Sequence, residues 1–338
     1  MKALVTGGGG FLGGALARAL LARGAEVRIL ARGAYPELEA AGCETQRGDI
    51  ADDAAVRRAC AGRDAVFHVA ARIGLWGPYE DFYRANVTGT KNVLAACQDE
   101  GVRRLIFTGS PSVVFANGVD CAGWDERAPY PERFDGHYSR TKALSEELVL
   151  AANSPSLSTV SLRPHWIWGP GDNHIIWRLA AQSKAGKLRR IAGYDKLVDT
   201  TYIDDAVASH LLAAARLEVS PSIGGRAYFI SQGDARPVWW FLNSLLAAAG
   251  RPPVERAIPL AAARAAAFAY ETAWTLLRKE GEPPLTRFLV SQLSTAHWFD
   301  ISAARRDLGY QPSVTIEEGM RRLKDWLGNP QTVVPGFK

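Results

Sequence analysis

Tyr138 and Lys142 stand four residues apart in the run Tyr-Ser-Arg-Thr-Lys, so on a helix their side chains share one face. A phenol near its ordinary pKa of about 10 is a slow base at neutral pH. An ammonium one turn away favours the phenolate, which makes the pair a proton donor or acceptor for an oxygen that gains or loses charge. Upstream, Thr6-Gly-Gly-Gly-Gly-Phe-Leu-Gly13 places Gly7, Gly10 and Gly13 at G-x-x-G-x-x-G spacing. Such a turn between strand and helix lets backbone N–H groups approach a pyrophosphate and lets the helix pack closely on its strand. One chain therefore offers a dinucleotide cradle and a proton donor, the two requirements of hydride transfer to a carbonyl. Ser110, after the apolar run Leu105–Thr108, is placed to bond the substrate oxygen, with Ser112 as a substitute.

These residues need a scaffold that converges on them. Ala3-Leu-Val-Thr6 runs into the glycines as a strand, and residues 11–23 show helical spacing closed by Gly24. Runs 26–30, 64–69, 104–108 and 157–163 read as further strands, with helices over 53–61 and 87–100. Strands alternating with helices predict right-handed βαβ units and a Rossmann-type, doubly wound parallel sheet, an α/β fold. After Pro164 the alternation fades and tryptophans accumulate, which predicts a smaller mixed C-terminal lobe. The expected organisation is a dinucleotide-binding domain over 1–163 joined by 200–232, a substrate lobe over 164–199 and 233–328, and a tail over 329–338.

At the end of the second strand an acidic residue would bond the adenosine ribose diol. The chain has Ala31-Arg32 instead. A guanidinium suits a 2′-phosphate, so Arg32 favours NADP(H) over NAD(H), a solvent-facing arginine being the plainer alternative. Asp49 and Ile50, after Gly48, fall where a third strand would bring Asp49 beside the adenine.

Apolar residues make up 47% and charged residues 22% of 338, the balance of an ordinary globular protein. The net charge of +5 is spread among acids without a Lys/Arg block, which argues against a nucleic-acid partner. Cys43, Cys60, Cys97 and Cys121 lack metal-ligand spacing and read as reduced thiols, so no metal is expected. Met1 leads straight into an apolar strand, leaving no room for a signal peptide and favouring a cytoplasmic protein. No run reaches the roughly 18 uninterrupted apolar residues of a membrane span. Residues 257–277 carry a stripe of Leu260, Ala263, Ala267, Tyr270, Trp274 and Leu277. That stripe fits a helix packed on the core, a lid over an apolar substrate, or a helix resting on a membrane.

The chain resembles the extended short-chain dehydrogenase/reductase family over nearly its whole length. The likeness rests on the glycine run, Gly48-Asp-Ile50, His68-Val-Ala-Ala71, Asn86-Val-Thr-Gly-Thr90, Ser110-Pro-Ser-Val113, Tyr138 with Lys142, Arg163-Pro164, Trp168-Gly-Pro-Gly-Asp172 and Leu308-Gly-Tyr-Gln-Pro312. The resemblance implies a catalytic set of Ser110, Tyr138 and Lys142. It implies cofactor contacts from Gly7, Gly10, Phe11, Leu12, Gly13, Arg32, Asp49, Ile50, the Ala70-Ala71 backbone, Tyr138, Lys142, Pro164 and Ile167, with Asn86 supporting the site. Gly109 departs from a frequent Ser or Thr, and the acid typical of NAD users is absent.

Within the family, dehydratases carry Asp-Glu after the catalytic hydroxyl, whereas Pro111, Ser112 and Val113 follow Ser110 here. The chain is similar instead to the 3β-hydroxysteroid dehydrogenase branch, near bacterial 2-alkyl-3-oxoalkanoate reductases and sterol-4-carboxylate 3-dehydrogenases. Tyr35-Pro-Glu-Leu38, Trp76-Gly, Ile167-Trp-Gly-Pro-Gly-Asp172, Val198-Asp-Thr-Thr-Tyr-Ile-Asp204 and Gly281-Glu-Pro-Pro-Leu-Thr-Arg-Phe288 carry the first likeness. Ser112-Val-Val-Phe115, Gly118-Val-Asp120 and Arg163-Pro-His165 carry the second. Both groups interconvert 3-oxo and 3-hydroxy functions β to a carboxylate on a lipid, so a hydrophobic lipid or sterol substrate is expected, with Trp76 and Ser112 beside it. His165 and Arg287 are the candidate partners of its carboxylate. A homodimer and contact with a membrane surface or a pathway enzyme complete the expectations.

Overall fold

A computed structural model describes residues 1–116 and 118–329; the rest of the tail foreseen over 329–338 lies outside them. Seven parallel strands form the main sheet in the order Arg226–Ile230, Ser158–Pro164, Arg104–Thr108, Ala65–His68, Lys2–Thr6, Glu26–Ala31, Glu44–Arg47. The order reverses between Lys2–Thr6 and Ala65–His68, and ligands of open α/β sheets bind outside the carboxyl ends of the strands at such a point. The central strands are apolar on both faces because helices cover both; Ala3, Leu4, Val5, Val66 and Phe67 are fully buried.

The second layer is small. Cys121–Trp124, His297–Phe299, Leu197–Val198 and Arg236–Pro237 make a four-stranded sheet, so the chain reaches this layer before residue 163 and returns to it after 290. Among the tryptophans of the aromatic-rich half, Trp168 and Trp239 are core, with exposures of 0% and 2%, while Trp240 faces outward. Part of that enrichment therefore fills the core rather than a substrate pocket.

The stripe predicted over 257–277 becomes the helix Leu260–Leu276, preceded by the short strand Ala257–Ile258. It is buried through small residues, Ala263, Ala267 and the carboxylate Glu271, whereas Phe268, Leu276 and Leu277 are 60%, 77% and 64% exposed. No helix among the described residues is long and apolar enough to cross a membrane.

Candidate active site

The cradle forms where Lys2–Thr6 hands over to the helix Phe11–Ala22. Gly7 has φ +70°, and a Cβ there would lie 2.8 Å from the Ala70 Cα. A Cβ on Gly13 would lie 2.2 Å from the Gly7 carbonyl oxygen. Both positions admit only glycine. The helix starts at Gly10 without a side-chain cap and without an acid in its first turn, so its positive end is free for an anion. Phe11 and Leu12 open that helix, and the Gly171 loop lies against the Phe11 ring. Across the switch point, Thr6 Oγ1 accepts from the Ala70 N–H at 3.2 Å and meets His68 Nδ1 at 2.8 Å. His68 is buried and held down to about pKa 3 by that burial and then by Lys142, so it is a neutral strut rather than a base.

At the adenosine end, Arg32 is exposed just beyond Glu26–Ala31. Asp49 accepts from the Ala51 N–H at 3.0 Å and from Arg84 Nη2 at 2.9 Å. Burial opposes ionisation of Asp49, yet the Ala51 amide, Arg84 and, farther off, Arg32 hold its carboxyl below the usual range. Ile50 is buried, its side chain filling the space beside Gly89. Tyr35 was absent from the expected contacts, yet its ring lies across Gly9, where a Cβ would fall 1.9 Å from it. Its sequence signals were proximity to Arg32 and its place in the Tyr35-Pro-Glu-Leu38 motif. A cradle that excludes side chains and an uncapped helix end fit the pyrophosphate of a dinucleotide.

The helix His137–Ala151 carries Tyr138 and Lys142 one turn apart, as the spacing requires. Ser110 caps the short helical turn Pro111–Val114, accepting from the Ser112 N–H at 3.2 Å, and its hydroxyl lies 2.9 Å from that of Ser112. Burial raises the Tyr138 pKa above that of an ordinary phenol, with a Ser110 hydrogen bond working in the opposite sense. Lys142 is 2% exposed; its Nζ donates to the Thr108 carbonyl at 2.6 Å and sits over the Phe107 ring. Burial lowers its pKa to about 7, with Glu146 opposing the fall. Asn86 joins these parts, accepting from the Arg72 N–H at 2.7 Å and donating to Thr141 Oγ1 at 3.0 Å, so the loop after Ala71 is tied to the helix His137–Ala151. Pro164 ends the strand Ser158–Pro164, and Ile167, directly after Trp166 with its φ of +36°, pairs with Thr201.

Behind Lys142 lies a network the motifs did not announce. Glu146 is fully buried and accepts from Arg163 Nη2 at 2.6 Å, Ser161 Oγ at 2.6 Å and the Tyr130 hydroxyl at 2.7 Å. It also explains Gly109: a Cβ there would lie 2.6 Å from Ser161 Oγ and 2.9 Å from Glu146 Oε2. The Ser161–Glu146 pair occupies the space a serine or threonine would need.

Both candidate partners for a substrate carboxylate are bound to carboxylates of the chain itself. His165 is buried with Nδ1 on Asp199 Oδ1 at 2.7 Å, and its Nε2 has no hydrogen-bond partner. Arg287 donates its backbone N–H and Nε to Glu271. Each therefore already meets a carboxylate of the chain, Asp199 or Glu271. Trp76 and Arg287, far apart in sequence, line one groove with Phe268. The thiols are free and buried; Cys60 and Cys97 sit side by side, and that contact together with burial pushes the Cys97 thiol up.

The profile of the 3-beta hydroxysteroid dehydrogenase/isomerase family matches residues 4–260. The chain is 51% identical over 326 residues to the 2-alkyl-3-oxoalkanoate reductase of Stenotrophomonas maltophilia, covering 96% of this chain and 98% of that protein. It is 33% identical over 330 residues to the human decarboxylating sterol-4-alpha-carboxylate 3-dehydrogenase, covering 95% and 87%. The fold matches the Thermus thermophilus UDP-glucose 4-epimerase solved with NAD, with TM-score 0.74, 24% identity, and 98% and 100% of the two chains covered.

Proposed function

Because the chain belongs to the 3-beta hydroxysteroid dehydrogenase/isomerase family of NAD(P)-dependent oxidoreductases, we propose that it reduces the 3-oxo group of a 2-alkyl-3-oxoalkanoate to the 3-hydroxy acid. The observation that carries this reading is the pairing of Tyr138, Ser110 and Lys142 beside a dinucleotide cradle in a chain 51% identical to such a reductase. When bound, the nicotinamide supplies the hydride. Ser110 orients the carbonyl oxygen, and Tyr138 gives it the phenolic proton as charge develops there. Lys142 steadies the phenolate left behind, and an N–H beyond the one it gives Thr108 serves the nicotinamide ribose. Burial keeps the phenol protonated at neutral pH, the form that reduction requires. Buried free thiols accord with a cytoplasmic setting, and light scattering tests the homodimer that the family resemblance implies.

A paired assay tests the substrate. A 2-alkyl-3-oxo acid with NADPH is consumed rapidly, and a 4-carboxysterol with either oxidised cofactor slowly or not at all; the opposite ranking overturns the assignment in favour of sterol chemistry.

Arg32 supports NADP as the preferred cofactor. A guanidinium bonded to a phosphate contributes about 1.5–3 kcal/mol, so Arg32→Ala raises KM for NADPH by about 10- to 100-fold and leaves KM for NADH unchanged. A strong native preference for NADH, indifferent to Arg32→Ala, refutes the choice.

A further inference from the structure

We propose that the groove between Trp76 and the helix Leu260–Leu276 holds one alkyl chain of the substrate; this rests on the 2-alkyl-3-oxoalkanoate reading and names a subsite within it. The groove has a volume of about 210 Å³ and is walled by Trp76, Phe268, Thr272, Thr275 and Leu276, with the Arg287–Glu271 pair along one side. That space is several times the roughly 10–15 Å³ one water-sized group needs, so it has room for several methylenes. Phe268, Glu271, Thr272 and Thr275 recur at helical spacing, so one face of the helix forms a continuous wall. Phe268 and Leu276 stand 60% and 77% exposed. Large apolar side chains gathered along one concavity mark a surface that receives apolar matter.

Continuity with the chemistry identifies the occupant. Trp76 belongs to the loop that begins at the cofactor-facing Ala70 and ends at Tyr79, whose ring lies 5.4 Å from that of His137, the residue before Tyr138. On the opposite wall, Phe288 follows Arg287 and lies against Gly136, where a Cβ would be 3.6 Å from its ring, and Ser291 Oγ donates to Asp135 at 2.9 Å. The Trp76 loop and the helix that Arg287 opens thus both reach the N-terminal end of the helix His137–Ala151. They are also clipped together: Glu282 accepts from the Leu75 N–H at 2.8 Å and from Arg178, and a Cβ on Gly74 would lie 3.0 Å from its Oε1. A chain attached to a carbonyl held at Tyr138 and Ser110 leaves the site along this groove, whose ion pair, already satisfied internally, does not repel methylenes with an unpaired charge.

The test uses Phe268→Ser and Leu276→Ser in the full-length protein, with unfolding midpoints confirming that both fold. Turnover of 2-alkyl-3-hydroxy acids of increasing chain length is followed with oxidised cofactor, and dodecanoate binding to the NADPH-loaded protein is followed by calorimetry. Each substitution is expected to lower kcat/KM for long chains and affinity for dodecanoate by about 10- to 100-fold, the worth of one buried aromatic or leucine side chain, with a much smaller effect on the shortest acids. Equal losses at all chain lengths overturn the groove assignment. So does a change confined to oligomeric state or vesicle binding, which would make this face a subunit or membrane contact. Failure of the wild type to turn over any such acid counts against the reductase reading, while dodecanoate binding still decides the groove.

Discussion

Tyr138→Phe is expected to lower kcat for carbonyl reduction by about 10²- to 10⁴-fold while dinucleotide affinity stays at the wild-type level. The range is that of a single positioned acid or base, or about 2.7–5.5 kcal/mol of barrier at 1.36 kcal/mol per decade. The substitution removes one hydroxyl and keeps the ring, so packing around the first turn of His137–Ala151 survives. What is lost is the partner of Ser110 and, on the proposed mechanism, the proton source. Single-turnover kinetics with NADPH separate this from a binding defect, and a fluorescence titration of the reduced cofactor checks the affinity. Activity within tenfold of wild type would show that some other group delivers the proton. Because burial holds the phenol above its ordinary pKa, the resting site is an acid. Oxidation must draw its phenolate from the charge of Lys142 and of the oxidised cofactor, so it responds more steeply to rising pH than reduction does.

The parts of the site that act through backbone geometry were legible in the sequence. Gly7 and Gly13 stand where a side chain would collide with Ala70 or with the Gly7 carbonyl, and such steric requirements leave few residue choices. The Tyr138–Lys142 spacing is likewise fixed by one helical turn. Charge compensation across distant segments was not legible. Arg287 and Glu271 are sixteen residues apart on two helices, and His165 meets Asp199 across two loops, so each cation looked free along the chain. The stripe over 257–277 marks the helix and, at Ala263 and Ala267, its buried face, but Tyr270 and Leu277 of the same stripe are 41% and 64% exposed. Periodicity identifies a face, but the fold buries this helix through Ala263 and Ala267 and leaves the larger Phe268 and Leu276 outside, where they have a groove to line. Gly109 looked like a neutral departure from a family pattern until Ser161 and Glu146 were seen to fill its side-chain space.

Glu146→Gln is expected to cost about 3–5 kcal/mol of stability, the range for breaking a buried ion pair, and to change the pH profile of reduction. Arg163 and Glu146 are 4% and 0% exposed at 2.6 Å separation, so removing the carboxylate charge leaves a buried guanidinium without its counter-ion. The catalytic effect follows from one sign. Burial lowers Lys142 to about pKa 7, and Glu146 opposes that fall. Below that value the ammonium stabilises the phenolate formed as Tyr138 releases its proton; above it the charge is lost and kcat for reduction declines. Without Glu146 the opposing influence disappears, Lys142 falls further, and the declining limb moves to lower pH. Lys142→Met removes the limb altogether. A purely structural role for Glu146 would lower stability and leave the limb in place, and that outcome would sink its assignment as the residue that positions the lysine's charge. The double substitution Glu146→Met with Arg163→Met separates the two effects. An apolar pair in place of a buried ion pair restores much of the stability, whereas the acid-shifted limb persists because no carboxylate faces Lys142.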